Sequence, residues 1–213
     1  TPGEVNLTTG DRPLRVRAIS VDAHLLNTLG VQPAQGRFFS EEETDRAGGL
    51  APPLAVLSYE LWQTVFGGQP LVGQTVNVEG RSHEILGIMP PGIDVMDNRT
   101  AIWLPLGLPA AIRQNRGFHI LHVIGRLKDG ATAQAAQIEL NAFLENWGER
   151  TGSSGHVPTS RPSRAADHTL QMQPVQDAIV GDARRSIWIL QVAVGLVLLI
   201  ACANLANLLM ART

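Results

Sequence analysis

The chain has 213 residues, 44% of them hydrophobic and 17% charged, with a net charge of −2 and a pI near 6.3. That balance excludes the basic footprint of a nucleic-acid binder, and the length allows one large soluble domain or two small ones beside any membrane segment. Cys202 is the single cysteine, so no disulfide framework is possible within the chain.

In chain order, Val5 to Leu7 is a short apolar stretch, and Leu14 to Val21 alternates as a strand does. Asp22 is placed to cap a helix over AHLLNTL (23–29), which Gly30 ends. Ser40 and Glu43 have capping-box spacing, which predicts a helical turn over Glu41 to Asp45. Arg46 to Pro53 reads as a Gly/Pro loop and Leu54 to Leu57 as a short strand. Ser58 caps the helix YELWQTVF (59–66), stopped by Gly67-Gly68, with Leu61, Trp62, Val65 and Phe66 as its apolar stripe. Thr75–Val78 and Ser82–Met89 flank Glu79-Gly80-Arg81 as a hairpin.

Ile102 to Leu104 predicts another short strand, and Pro109 to Gly117 one helical turn. His119 to Leu127 reads as a strand, and Thr132 caps the helix AQAAQIELNAFLENW (133–147). Glu149 to His168 is a polar loop, followed by a last strand over Thr169 to Val175. Strands and helices mix without a regular βαβ repeat, so the fold class of the soluble part is α+β.

Ile187 to Met210 contains no charged residue. As a helix it would reach about 36 Å, enough to cross a hydrocarbon core of about 30 Å. The polar approach, Gln176 to Arg185, is read as helical from Gly181. Asn204 and Asn207 are three apart and share a face, while Gln191 lies on another face near Gly195. Amides in hydrocarbon need partners, and the small residues Gly195, Ala201, Ala203 and Ala206 would admit a neighbouring helix. These three amides are the candidate polar packing sites. The other reading returns them to carbonyls of the preceding turn. The chain has neither an initiator Met nor a signal peptide and reads as a piece of a longer protein.

Motifs for catalysis are lacking. There is no GxxxxGK[ST], GxGxxG, GxSxG or HExxH. His119 and His122 are three apart on a predicted strand and point to opposite faces. His24, His83, His156 and His168 have no acidic or cysteine partner at ligand spacing, so no metal or cofactor is expected. Glu41-Glu42-Glu43 reads as a helix start favoured by the helix dipole. The edges around Phe38-Phe39 and the Pro90–Asn98 loop are candidate interaction surfaces, with ordinary core packing as the other reading.

Several stretches together resemble one family. They are LNTLGVQPAQGRFFSEEE (26–43), AVLSYELWQTVFGGQPLVGQTVNVEGRSHEILGIMPPG (55–92), IWLPL (102–106) and VIGRLKDGATAQAAQIEL (123–140). LLIACANLANLLMAR (198–212) is similar to the first FtsX-like permease helix that follows such a domain. The soluble part resembles the MacB-like periplasmic core domain of ABC transporter permeases, in the large-permease branch without a fused ATPase.

The resemblance implies an extracytoplasmic domain, residues 1–180, ahead of a transmembrane helix at about 187–210 in the inner membrane. It implies a Porter-like part, about 1–35 and 118–180, with a Sabre-like insertion at about 36–117. It implies a non-enzymatic permease dimer driven by a separate cytoplasmic ABC ATPase, relaying conformational change by mechanotransmission. Cargo in such systems includes macrolides, peptides, toxins and lipoproteins. A periplasmic adaptor and an outer-membrane channel are admissible further partners. Gly181, Asp182, Arg184 and Arg185 then form the coupling junction between domain and helix. The competing readings are a membrane-tethered sensing or adaptor domain and a membrane-anchored hydrolase.

Overall fold

The computed structural model describes residues 2–9, 12–44, 51–94, 99–114, 120–145 and 170–211. By compactness the chain divides into Thr1–Glu139 and Leu140–Thr213.

The first unit is organised by seven strands: β1 (Pro2–Thr9), β2 (Arg12–Val21), β3 (Gln35–Gly36), β4 (Leu54–Leu57), β5 (Thr75–Val78), β6 (Arg81–Ile88) and β7 (Ile102–Pro105). The sheet order is β3-β6-β4-β7-β2-β1-β5, and β5 also pairs with β6. Six strands therefore close a ring, β4-β7-β2-β1-β5-β6, with β3 added to β6. Pairs β2–β7 and β4–β6 are parallel and the others antiparallel. The helices of this unit are α1 (Leu25–Leu29), α2 (Glu41–Thr44), α3 (Tyr59–Phe66), α4 (Ala110–Gln114) and the start of α5 (Ala133–Glu145).

Period-two alternation separates two cores. Leu7, Ala18, Ala55, Leu57, Val76, Val78, Ile85 and Ile102 form one buried cluster with Leu61 and Trp62 of α3. Ile19, Val21, Val56, Leu86, Met89 and Trp103 form the other with Leu25 and Leu26 of α1 and with Phe39. Ile85 and Ile88 both belong to the first cluster although they are three apart. A bulge explains this: Ala55 pairs Ile85 and Val56 pairs Gly87, so Leu86 is the extra residue. Each fully buried Leu or Ile side chain contributes about 1.5–3 kcal/mol.

Local chemistry holds the ring closed. Glu79 and Gly80 both have positive φ, 51° and 77°, as a two-residue type I′ hairpin turn requires. The β1–β5 ladder is short, Leu7↔Val78 and Thr8↔Asn77. Glu79 lengthens it: its N–H donates to Asn6 O at 2.9 Å, and its Oε1 accepts from Asn6 N. At β3–β6 the backbones approach closely, and a Cβ on Gly87 would lie 2.5 Å from Arg37 O. Ser58 caps α3 as the sequence predicts, its Oγ accepting from Leu61 N at 3.0 Å. Its own N–H donates to Ala101 O at 2.9 Å, tying the end of β4 to the start of β7.

Four expectations need correction. Residues 120–127 join no strand of the sheet, and Val123 is 91% exposed. A ring closed on itself leaves few backbone edges for a further strand. Residues 170–174 also form no strand, and helix begins at Val175, directly after Pro174. Proline pre-sets a helix-compatible φ at such a start. The helix expected from Gly181 therefore starts six residues earlier. Finally, α1 begins at Leu25 behind His24, and Asp22 Oδ1 accepts from His24 N at 3.1 Å instead of capping the helix. Asp45, the loop expected at 149–168, and His119, His156 and His168 lie outside the described residues.

Leu57→Ala is expected to lower the unfolding free energy by about 3 kcal/mol, whereas Leu14→Ala, on an exposed position of β2, should change it by less than about 1 kcal/mol. Denaturant titration followed by tryptophan fluorescence checks the contrast.

Candidate functional site

The second unit contains α6, Val175–Met210, a helix of 36 residues. At 1.5 Å per residue it is about 54 Å long. Asp177 in its first turn faces the favourable end of the helix dipole. The helix runs through Gly181, Asp182, Arg184 and Arg185 without a break. Their side chains lie outside the described residues, so the junction is described in its backbone alone. Within α6, Ile187–Asn204 is long and apolar enough to cross a membrane, with a mean hydropathy of 2.3, and none of it is buried.

The three amides of the apolar run lie on this one helix. Gln191, Asn204 and Asn207 are all exposed. At about 100° per residue, Asn204 and Asn207 are about 60° apart, and Gln191 lies on roughly the opposite side. Gly195 is partly shielded, and a Cβ there would meet nothing within 4 Å. The helix thus brings Asn204 and Asn207 to one face and leaves Gln191 apart from them.

In the first unit a polar corner joins β3 to α2. Arg37 donates to both carboxylate oxygens of Glu43, Nη1 to Oε2 at 2.9 Å and Nη2 to Oε1 at 2.8 Å. Arg37 Nη1 also donates to Phe38 O at 3.0 Å. Ser40 N donates to Glu43 Oε2 at 2.8 Å, the half of a capping box that the Ser40–Glu43 spacing anticipates. The Arg37 guanidinium hydrogen bond holds the Glu43 carboxyl below the usual carboxylate range, and burial opposes it. The same bond raises Arg37. Arg37 is more than half exposed, so solvent screens much of this pairing. The corner anchors the segment carrying Phe38 and Phe39, whose rings lie 4.7 Å apart. Phe39 is buried and Phe38 packs against the second cluster, so this pair is core packing and not a free surface. In the Pro90–Asn98 loop, Ile93 packs on the same cluster, and residues 95–98 lie outside the described residues.

One link was not legible in the sequence. Arg126 Nε donates to Thr28 O at 2.7 Å, at the C-terminal end of α1, where a carbonyl lacks a partner within the helix. Ile124 packs on the second cluster beside it. A Cβ on Gly30 would lie 2.9 Å from Arg126 Nη2, so Gly30 both ends α1 and leaves room for the guanidinium. Nothing local in the sequence marks this pairing, because the partners are 98 residues apart.

Among the described residues, no group of three or more His, Cys, Asp or Glu could hold a metal ion. His83 is buried, with Nδ1 2.9 Å from Arg81 O. His24 Nε2 lies 3.6 Å from Glu41 Oε1 on an exposed surface.

Residues 3–143 match the family described as the MacB-like periplasmic core domain. The chain is similar to the extracellular domain of the noncanonic ABC-type transporter YknZ from Gram-positive bacteria, at 13% identity and a TM-score of 0.40, covering 49% of this chain and 50% of that one. It is similar to the periplasmic region of MacB from Actinobacillus actinomycetemcomitans at 16% identity and a TM-score of 0.49, covering 80% and 75%. A domain of a putative permease protein from Porphyromonas gingivalis matches at 16% identity and a TM-score of 0.47, covering 72% and 62%. No curated protein matches the chain.

Because the folded Glu43 carboxyl titrates below its unfolded range, its stabilisation is present above that range and is lost as pH falls through the folded value. Glu43→Gln is expected to cost about 1 kcal/mol at pH 7. The gap from wild type should close as pH falls below about 4. Urea titrations over a pH series check this, and a gap that stays constant would contradict it.

Proposed function

The chain belongs to the MacB-like periplasmic core domain family, and from that membership we propose that it is part of an ABC-type export permease. In this reading residues 1–180 lie outside the cytoplasm and α6 crosses the inner membrane from about Ile187 to Met210. The chain is not itself an enzyme. A separate cytoplasmic ABC ATPase supplies the energy, and a second permease copy completes a dimer. Efflux or export of macrolides, peptides or lipoproteins follows from ATP-driven movement relayed outward, that is, by mechanotransmission.

The observation that carries this reading is the continuity of α6. It begins at Val175, twelve residues before the apolar run, with no proline along its length. A helix that does not break at the boundary moves as a stiff rod, so tilt or rotation of the span reappears about 18 Å beyond it. Gly181 adds little flexibility while its neighbours stay helical, although it costs about 1 kcal/mol relative to alanine. Gly181, Asp182, Arg184 and Arg185 are accordingly proposed as the coupling junction. Asn204 and Asn207, on one face, are proposed to meet a neighbouring membrane helix, and Gln191 another.

The family's Porter-like and Sabre-like division, placed at about 1–35 with 118–180 and at 36–117, belongs to the same proposal. In the first unit, β1 and β2 share hydrogen bonds with β5 and β7. A boundary near residue 36 therefore falls within one continuous sheet of the first unit.

Inserting a flexible Gly-Ser stretch after Asp182 in the full-length permease is expected to leave ATP hydrolysis by the partner ATPase running while export falls. Parallel ATPase and transport assays check this, and unchanged export would reject the coupling role.

A further inference from the structure

Trp188 stands at the first turn of the apolar run and is 62% exposed. It is the only one of the chain's four tryptophans in that run. Arg184 and Arg185 precede it by one helical turn, and no charged residue follows until Arg212. Tryptophan favours the boundary between hydrocarbon and headgroups, where its ring is buried and its N–H stays wet. Arginines just outside that boundary complement lipid phosphate.

We propose that Trp188 docks at the outer phospholipid headgroup boundary and sets the depth of α6 in the bilayer. The inference rests on the reading of α6 as a membrane span. It fixes a register that the family reading leaves open. A hydrocarbon core of about 30 Å takes about 20 residues of untilted helix, so the opposite boundary falls near Leu208. Gln191 then lies about 4.5 Å inside the outer boundary, and Asn204 about 6 Å inside the inner one. Asn207 sits almost at the inner boundary. Val192 to Ala203, the middle of the span, has no amide, hydroxyl or charge. Polar contacts of α6 with other helices are therefore confined to its two ends, where headgroups and water also reach.

The test uses the full chain in phospholipid vesicles with nitroxide quenchers carried either on the headgroup or at mid-chain. The Trp188 signal is the difference between wild type and Trp188→Phe. The headgroup label is expected to quench it at least about twofold more than the mid-chain label. Stronger quenching by the mid-chain label overturns the register and leaves the span intact. A control chain carries Trp188→Phe with Leu198→Trp, which the mid-chain label should quench. If that control is quenched and Trp188 is quenched by neither label, Trp188 faces protein and the inference falls alone. If neither tryptophan is quenched, α6 is not in the bilayer and the reading beneath it falls as well.

Discussion

An uncharged surface this large has to be removed from water, and that requirement governs everything else about the chain. Leu196 to Ile200 are five consecutive large apolar residues, each more than half exposed. At about 1.5–3 kcal/mol for a fully exposed side chain, burying what these five still expose is worth roughly 5–9 kcal/mol, comparable with the whole stability of a typical domain. Among the described residues the apolar window Ile187–Asn204 is not buried. A hydrocarbon phase accepts such a helix because its backbone hydrogen bonds are satisfied internally.

The first unit meets its own burial requirement differently. The ring of six strands pairs most of its backbone edges, and its two faces are filled by separate clusters. The places where this closure is tightest are short and specific. Glu79 stitches β1 to the β5–β6 hairpin with both its backbone and its carboxylate. Gly87 lets β3 approach β6 where a side chain could not fit. Arg37 and Glu43 then fix the turn that presses Phe39 into the core. Each of these groups holds the fold at a point where two elements meet.

Local signals read well from the sequence because their causes are local. β4 and α3 fall on their predicted residues, since a four-residue apolar run, a serine cap and a glycine stop are all short-range. The hairpin over 75–89 and the Ser40–Glu43 bond were visible for the same reason, although the turn is one residue tighter than Glu79-Gly80-Arg81 because Arg81 already pairs with Val78. The ring was not visible. It depends on β1 meeting β5 and on β2 meeting β7, partners about 70 or more residues apart. The alternation of 119–127 suggested a strand, but alternation reports a two-faced segment and not an available edge. Of the candidate site, the long apolar helix was legible from composition. The start of α6 was not, because Gln176 to Arg185 has no apolar periodicity and Pro174 falls within the strand expected over Thr169 to Val175.

The central claim is that α6 is one stiff element from the soluble side into the membrane. Spin labels on cysteines at Gln176 and Ala201, with Cys202 replaced by serine, would measure it by pulsed electron-electron resonance in bilayers. An unbroken helix predicts a narrow distance distribution centred near 38 Å. A broad distribution, or a shorter centre showing a bend between Gly181 and Ile187, would contradict the account.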